Sequence, residues 1–329
     1  MGDVILSSAC LRNIRNAFPK SRIDVVTSDS LSEIFAYSPY INNLYLYKKN
    51  NSKFNNDLKI DIANSLPNKK YDLIIDLQKN RRSKIFSKGL FVNKTTYSKN
   101  RLAKLSLVYL KKNITAKPLC IPDEYLKPLI NLGGKDDGLG LEIRLPGETD
   151  IAYPPFKRKF SRTLRNVAIA PAAKHFTKQW PAEHFAALCD LLHDKFKCTI
   201  HLLGGNDAKD ICTHITAHSK AKFVDHSGAA SIIQTTEVVD KSDMLITNDS
   251  GVMHIGAARR IPIVAIFGST TTEFGFGPFR TPNIIVETNA ACRPCTHIGR
   301  EKCPKGHFNC MRMISAENVF TACSRLLES

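Results

Sequence analysis

One feature restricts this chain more than any other. Short β-branched runs alternate with amphipathic stretches of helical period along most of its 329 residues. Parallel strands cannot be joined by tight turns, so this alternation calls for parallel sheets with crossover helices. In the first half, strands are predicted over 22–27, 44–48 and 71–77, and helices over 4–17, 56–66 and 101–111. The pattern breaks between Gly133 and Phe160, where Gly133-Gly134, Pro154-Pro155 and the basic cluster Lys157-Arg158-Lys159 interrupt it. It then restarts, with strands over 166–170, 198–203, 244–247 and 263–267 and one beginning at Phe223. Helices are predicted over 182–196, 207–219, 231–241, 252–259 and 316–327. The length suits two cores. The expected fold is α/β, two doubly wound Rossmann-like domains facing across a cleft, residues 1–155 and 156–329.

A doubly wound domain usually opens on a central strand, whereas this chain opens on a helical stretch. Its first sheet is therefore expected to lack that strand, and side chains beside Met1 are expected to fray.

With 43% hydrophobic and 23% charged residues, the composition is that of a folded domain. No apolar run reaches the roughly 20 residues of a spanning helix, and the first residues do not read as a signal peptide. A cytoplasmic location is the expectation. Residues 1–160 carry 28 Lys and Arg against 15 Asp and Glu, a net +13, while residues 161–329 carry 19 against 15, a net +4. The first half thus presents a positive field suited to an anionic surface or polyanion.

Three segments carry chemistry. The first is Ile246 to His254, ITNDSGVMH, in which a strand ends and a helix begins at once. Free N–H groups at such a junction suit a diphosphate, although Asp249 or Ser250 could equally be a plain helix cap. By helical spacing, His254 should share a face with Ser250. The second is Ala170 to Pro181, APAAKHFTKQWP, a strand-to-helix loop in which Lys178 could neutralise phosphate oxygens while Trp180 and Pro181 fix the loop. The third is Leu203 to Asp207, LGGND, a turn at the same sheet edge.

Taken in order with GDVILSSACLRNIRNAFP at the start, these segments resemble glycosyltransferase family 9, the heptosyltransferases, over nearly the whole chain. The resemblance implies a GT-B arrangement: an acceptor-binding first domain and a nucleotide-sugar-binding second domain. It implies inverting transfer of heptose from ADP-heptose to the lipopolysaccharide inner core, with no cofactor or catalytic metal required. By position it makes Asp3 the general base and Lys178 the group that stabilises the departing diphosphate. Lys174, Asp207, Asp249, Ser250, Gly251 and His254 fall on the donor side, with Ala173-Lys174 standing where the family often has Thr or Ser. Arg81, Arg82 and Lys84, in the stretch from Asp76 to Lys84, fall on the acceptor side, where Arg can meet carboxylates or phosphates bidentately. The implied partners are an ADP-sugar and an anionic lipid A-Kdo acceptor, with peripheral contact at the inner face of the inner membrane and no nucleic acid. The alternatives are another GT-B nucleotide-sugar transferase, or a basic zinc-containing nucleic-acid-binding protein.

The second of those alternatives rests on a Cys-rich loop, 292–310. Cys292, Cys295, Cys303 and Cys310 include one CxxC pair, and tetrathiolate zinc, a labile disulfide and free thiols are all open readings.

Overall fold

The structure is a computed structural model that describes residues 1–48, 71–87, 92–115, 117–149, 164–228 and 230–328. The predicted helix over 56–66, the Pro154-Pro155 and 157–159 clusters and the expected boundary at 155/156 lie outside these residues.

The chain opens with α1 (Gly2–Leu6) and α2 (Ser8–Ala17), split at Ser7 where one helix was expected. Strands β1 (Asp24–Ser28) and β2 (Asn43–Tyr47) pair in parallel, as do β3 (Leu73–Asp76) and β4 (Asn93–Thr96). Among the described residues no strand joins these two ribbons into one sheet. Helix α3 (Arg81–Phe86) follows β3; α4 (Arg101–Tyr109) and α5 (Ile121–Ile130) follow β4.

The second half is a single six-stranded parallel sheet. Its strands are β5 (Asn166–Ala170), β6 (Thr199–Leu202), β7 (Lys222–Asp225), β8 (Met244–Asn248), β9 (Ile263–Phe267) and β10 (Asn283–Glu287). Between them run α6 (Ala182–Phe196), α7 (Lys209–Ala217), α8 (Ile232–Lys241) and α9 (Gly251–Ala258), and α10 (Asn309–Arg312) and α11 (Ala316–Glu328) close the chain. The spatial order is β7-β6-β5-β8-β9-β10, so the winding reverses between β5 and β8. In open α/β sheets a ligand crevice forms at the carboxyl ends of the strands at such a switch point.

Successive strand residues face opposite sides, and both sides are buried. Val167 and Ile169 join a core with Phe185, Leu188 and Leu192 of α6 and Val319 and Cys323 of α11. Ala168 and Ala170 join a second core with Met253 and Ile255 of α9. That second core also takes in Ile5, Leu6, Ile34, Phe35, Ile121 and Tyr125, so the first half packs directly on the second-half sheet. The expectation that the chain start would fray is thus corrected. Ile5 and Leu6 are fully buried, and hydrophobic burial of two such side chains outweighs the entropy of a loose turn. Gly256 lets α9 lie close on its own sheet, because a Cβ there would lie 2.6 Å from Leu245 of β8.

The segment from Asn131 to Thr149 forms no strand or helix, yet two buried arginines grip it, one from each half. Arg12 of α2 donates to Asp137 (2.6 Å), Glu142 (2.7 Å) and the carbonyl of Gly140 (2.8 Å). Arg259, just past α9, donates to both oxygens of Glu148 (2.8 and 2.9 Å), to Asp240 (3.0 Å) and to the carbonyl of Ile143 (2.9 Å).

Candidate active site

Loops after β5, β8 and β9 meet at the switch point. Asn248, the last residue of β8, is buried and acts as a staple. Its Oδ1 accepts the N–H of Trp180 (3.1 Å) and its Nδ2 donates to the carbonyl of Pro171 (2.6 Å). Trp180 is fully buried and donates Nε1–H to Ile314 (2.9 Å), which fixes the far end of the loop. Lys178 lies on the short turn Phe176–Lys178 between these anchors.

From there the Lys178 ammonium reaches Asp249 Oδ2 at 2.6 Å, and Thr270 Oγ1 donates to the same oxygen at 2.7 Å. Ser269 donates to Thr177 (3.0 Å), whose hydroxyl also accepts the N–H of Arg300 (2.8 Å). Arg293 holds the carbonyl of Thr270 at 3.0 Å. Three loops, distant in sequence, thus converge on one half-buried ion pair. Ser250 sits at the N-cap of α9, its hydroxyl 3.2 Å from that of Thr247, and Gly251 begins the helix beneath the side chain of Met1.

His254 takes a different position. It is 4% exposed, its ring packs against Gly2, and its Nδ1 makes no hydrogen bond. Burial pushes its pKa down to about 4; Asp249 opposes this, while Lys178 and the chain's amino group add to it. The ring is therefore neutral in the native state, whereas in the unfolded chain it gains a proton near the ordinary 6.5. Stability is full above that value and falls with pH until about 4. Acidifying from neutrality to about pH 5 should cost about 2 kcal/mol through this ring. Melting curves of the native protein and a His254→Gln variant across that range check this. An unchanged slope in the variant would remove His254 as the cause.

Asp207 is exposed on the turn Asn206–Ala208 after β6, and Lys174 is exposed on the loop after β5. Asp3 is exposed on the first turn of α1. Its charge acts on Tyr97 and Tyr125, whose rings meet edge-on at 4.8 Å, and on Lys99 and Lys104. Burial pushes the Lys104 ammonium below its usual range, and Asp3 opposes that shift.

In the first half, Asn80 caps α3 reciprocally with Ser83. Asp76 organises the turn, accepting from the N–H of Lys79 (2.8 Å), the Ser83 hydroxyl (2.8 Å) and Lys94 (3.1 Å). Burial raises its pKa, but these donors outweigh it and hold the carboxyl below its usual range. Arg82 lies over the Tyr47 ring at 5.6 Å and donates to its hydroxyl (3.2 Å), while Arg81 and Lys84 are exposed.

The Cys-rich loop packs against the switch-point loops, the N–H of Cys295 donating to the carbonyl of Ser269 (3.1 Å). Cys292, Cys295, Cys303 and Cys310 are free thiols, with Cys292 Sγ 4.0 Å from His307 Nε2. Burial pushes the Cys310 thiol up to about 11. Among the described residues no group of three His, Cys, Asp or Glu side chains is gathered as a metal-binding set.

Sequence reading missed Thr177, Ser269, Thr270, Tyr97 and Lys104. Ser269 and Thr270 carried a signal: they follow a fully buried strand at the same carboxyl edge.

This arrangement of strand ends has known counterparts. Residues 60–304 match glycosyltransferase family 9 (heptosyltransferase). The chain belongs to that family. It is 24% identical over 297 residues to the lipooligosaccharide heptosyltransferase 2 of Haemophilus ducreyi, covering 83% of this chain and 82% of that one. It superposes on a family 9 glycosyltransferase of Veillonella parvula with a TM-score of 0.76 and 23% identity, over 100% of this chain and 94% of that one. It also superposes on the Escherichia coli heptosyltransferase WaaC bound to ADP-2-deoxy-2-fluoro heptose, with a TM-score of 0.67 and 18% identity over 98% and 96%. The fold is GT-B, and this family 9 chain is a glycosyltransferase.

Proposed function

We propose that this chain transfers a heptose from ADP-heptose to the inner core of lipopolysaccharide with inversion at the anomeric carbon. The observation that carries the reading is the Lys178–Asp249 pair at the switch-point crevice, beside the start of α9. The donor's diphosphate would lie on the α9 N-terminus, where free N–H groups and the helix dipole favour negative charge. Lys178 would turn from Asp249 to the phosphate oxygens as the leaving group forms, and Asp249, still held by Thr270, would accept from a donor hydroxyl. The acceptor hydroxyl attacks the anomeric carbon, the bond to the phosphate oxygen breaks, and the hydroxyl proton passes to Asp3. ADP departs with the bonding pair. No cofactor or metal is needed in this scheme.

Within this scheme residues 1–155 would hold the acceptor, with Arg81, Arg82 and Lys84 meeting its carboxylates and phosphates. Residues 156–329 would hold the donor, with Lys174 and Asp207 at the crevice edge. The acceptor is lipid-borne, which places the reaction at the cytoplasmic face of the inner membrane. Among the described residues no helix is long and apolar enough to cross a membrane.

Thermal shift tests the donor. ADP should raise the melting temperature, with saturation at about 100 Kd giving about 2.7 kcal/mol. UDP, GDP and duplex DNA should not, and a larger shift with any of them would overturn the ADP assignment. Lys178→Ala should weaken ADP binding by at least about tenfold and lower kcat/KM by about 10² to 10³, because a preorganised cation is lost and Asp249 then faces the phosphates. Calorimetry and initial rates measure both effects.

A further inference from the structure

Helix α4 has two unlike faces. Inward, Leu107 and Val108 are buried against Phe274 and Phe276, and the Lys104 ammonium lies 5.0 Å over the Phe276 ring. Just past the helix, Lys111 locks it to the second half by donating to the carbonyls of Cys292 (3.1 Å) and Pro294 (2.6 Å). Outward, Leu102 (77% exposed), Leu105 (45%) and Tyr109 (73%) recur at positions i, i+3 and i+7, forming one stripe. Leu110 (67%) and Ile114 (61%) extend the exposed apolar surface beyond the helix. These five lie within thirteen residues of sequence, whereas single exposed apolar residues elsewhere need no explanation.

The charge along this stretch of sequence is one-sided, although Glu273 of the second half accepts from Asn113 (3.1 Å). From Leu77 to Pro122 the sequence holds twelve Lys and Arg and no Asp or Glu. Arg101, Lys112 and Lys117 are exposed beside the apolar residues. Nucleic acid would satisfy the cations but leave the leucines in water. A ridge of aliphatic side chains with a tyrosine, rimmed by long cationic side chains, suits a soft apolar layer beneath anionic headgroups.

We propose that the outer face of α4 and the turn to Ile114 dock this enzyme on an anionic phospholipid bilayer. Leu102, Leu105, Tyr109, Leu110 and Ile114 enter the headgroup boundary, and Arg101, Lys112 and Lys117 bind the headgroups. The opposite face of the same helix carries Lys104, which lies in the field of Asp3. The docking surface and Lys104 therefore lie on opposite faces of one helix, with the proposed base on the Lys104 side. An acceptor borne on a lipid in that bilayer would thereby be held at the half of the enzyme that carries Asp3. The functional meaning rests on the acceptor being lipid-borne, but the docking itself is measured without any acceptor.

The test is co-sedimentation of the full chain with phosphatidylcholine vesicles, with and without phosphatidylglycerol, none containing glycolipid. Binding should require the anionic lipid and should weaken about tenfold or more when salt is raised to near molar. A variant combining Leu102→Gln, Tyr109→Gln, Leu110→Gln and Ile114→Gln should lose at least about tenfold in partitioning. Its melting temperature, its stabilisation by ADP and its transfer rate to a deacylated, water-soluble acceptor should remain at native values. Equal binding by native and variant chains, or equal binding to neutral and anionic vesicles, overturns the proposal. So does absence of vesicle binding together with a native dimer that the variant abolishes, which would assign the face to a second copy. Vesicle binding without transfer to the soluble acceptor would instead count against the proposed function alone.

Discussion

Replacing Asp3 by Asn is expected to lower kcat by about 10² to 10⁴ while leaving ADP affinity within about twofold. Asparagine has nearly the same shape, so the packing of Ile5 and Leu6 beneath it is kept and any loss is chemical. An amide cannot take the proton that the acceptor hydroxyl releases as the new C–O bond forms. Asp3 is exposed on α1, with Lys99 and Lys104 in its field and Tyr97 and Tyr125 alongside. Single-turnover rates with ADP-heptose and a defined truncated lipopolysaccharide, together with ADP titration, separate the two effects. A variant that turns over at the native rate would remove Asp3 as the base and shift attention to another carboxylate.

Arg259→Met is expected to destabilise the protein by about 3 to 5 kcal/mol, the range for uncovering partners of a buried cation. The guanidinium is wholly buried and holds Glu148 in a two-pronged pair, plus Asp240 and the Ile143 carbonyl. Methionine fills much of the volume but leaves two carboxylates without their cation. Burial already raises the pKa of Glu148, and Arg259 is the main group holding it below its usual range. The native pair contributes stability that is present above the ordinary carboxylate pKa and lost as pH falls below it. In the variant that acid limb should flatten. Arg259→Lys should recover only part of the loss, since one ammonium cannot reproduce the fork. Denaturant unfolding can be followed by the fluorescence of Trp180, which is buried in the core on the other face of the same sheet. A change under about 1 kcal/mol would show that the cluster relaxes without its arginine.

Much of the second half could be read from sequence because its strands are short, apolar and bounded by turns. β5, α6 and β9 fall where periodicity puts them. The first half was harder for identifiable reasons. β4 reads NKTT and exposes most of its residues, so it has no apolar signature. α5 carries Pro122 in its first turn and Pro128 inside, which mask its period. In the site, the strand-end loops located Lys178 and Asp249, but not that they pair, because ion pairs between residues seventy apart leave no local pattern. The burial of His254 was hidden for the same reason, since its neighbour Gly2 lies at the other end of the chain. Likewise the break from Gly133 onward was legible as a break, but not as a segment gripped by Arg12 and Arg259.

The docking of α1 has a kinematic consequence. Met1 and Gly2 rest on Gly251 and His254, and Ile5 and Leu6 are sealed into the core of the second-half sheet. Asp3 and the Lys178–Asp249 pair therefore belong to one rigid body. Opening of the cleft cannot separate them without tearing that core. On the proposed function, the group that takes the proton and the cation that meets the leaving group would therefore keep their register through every cycle.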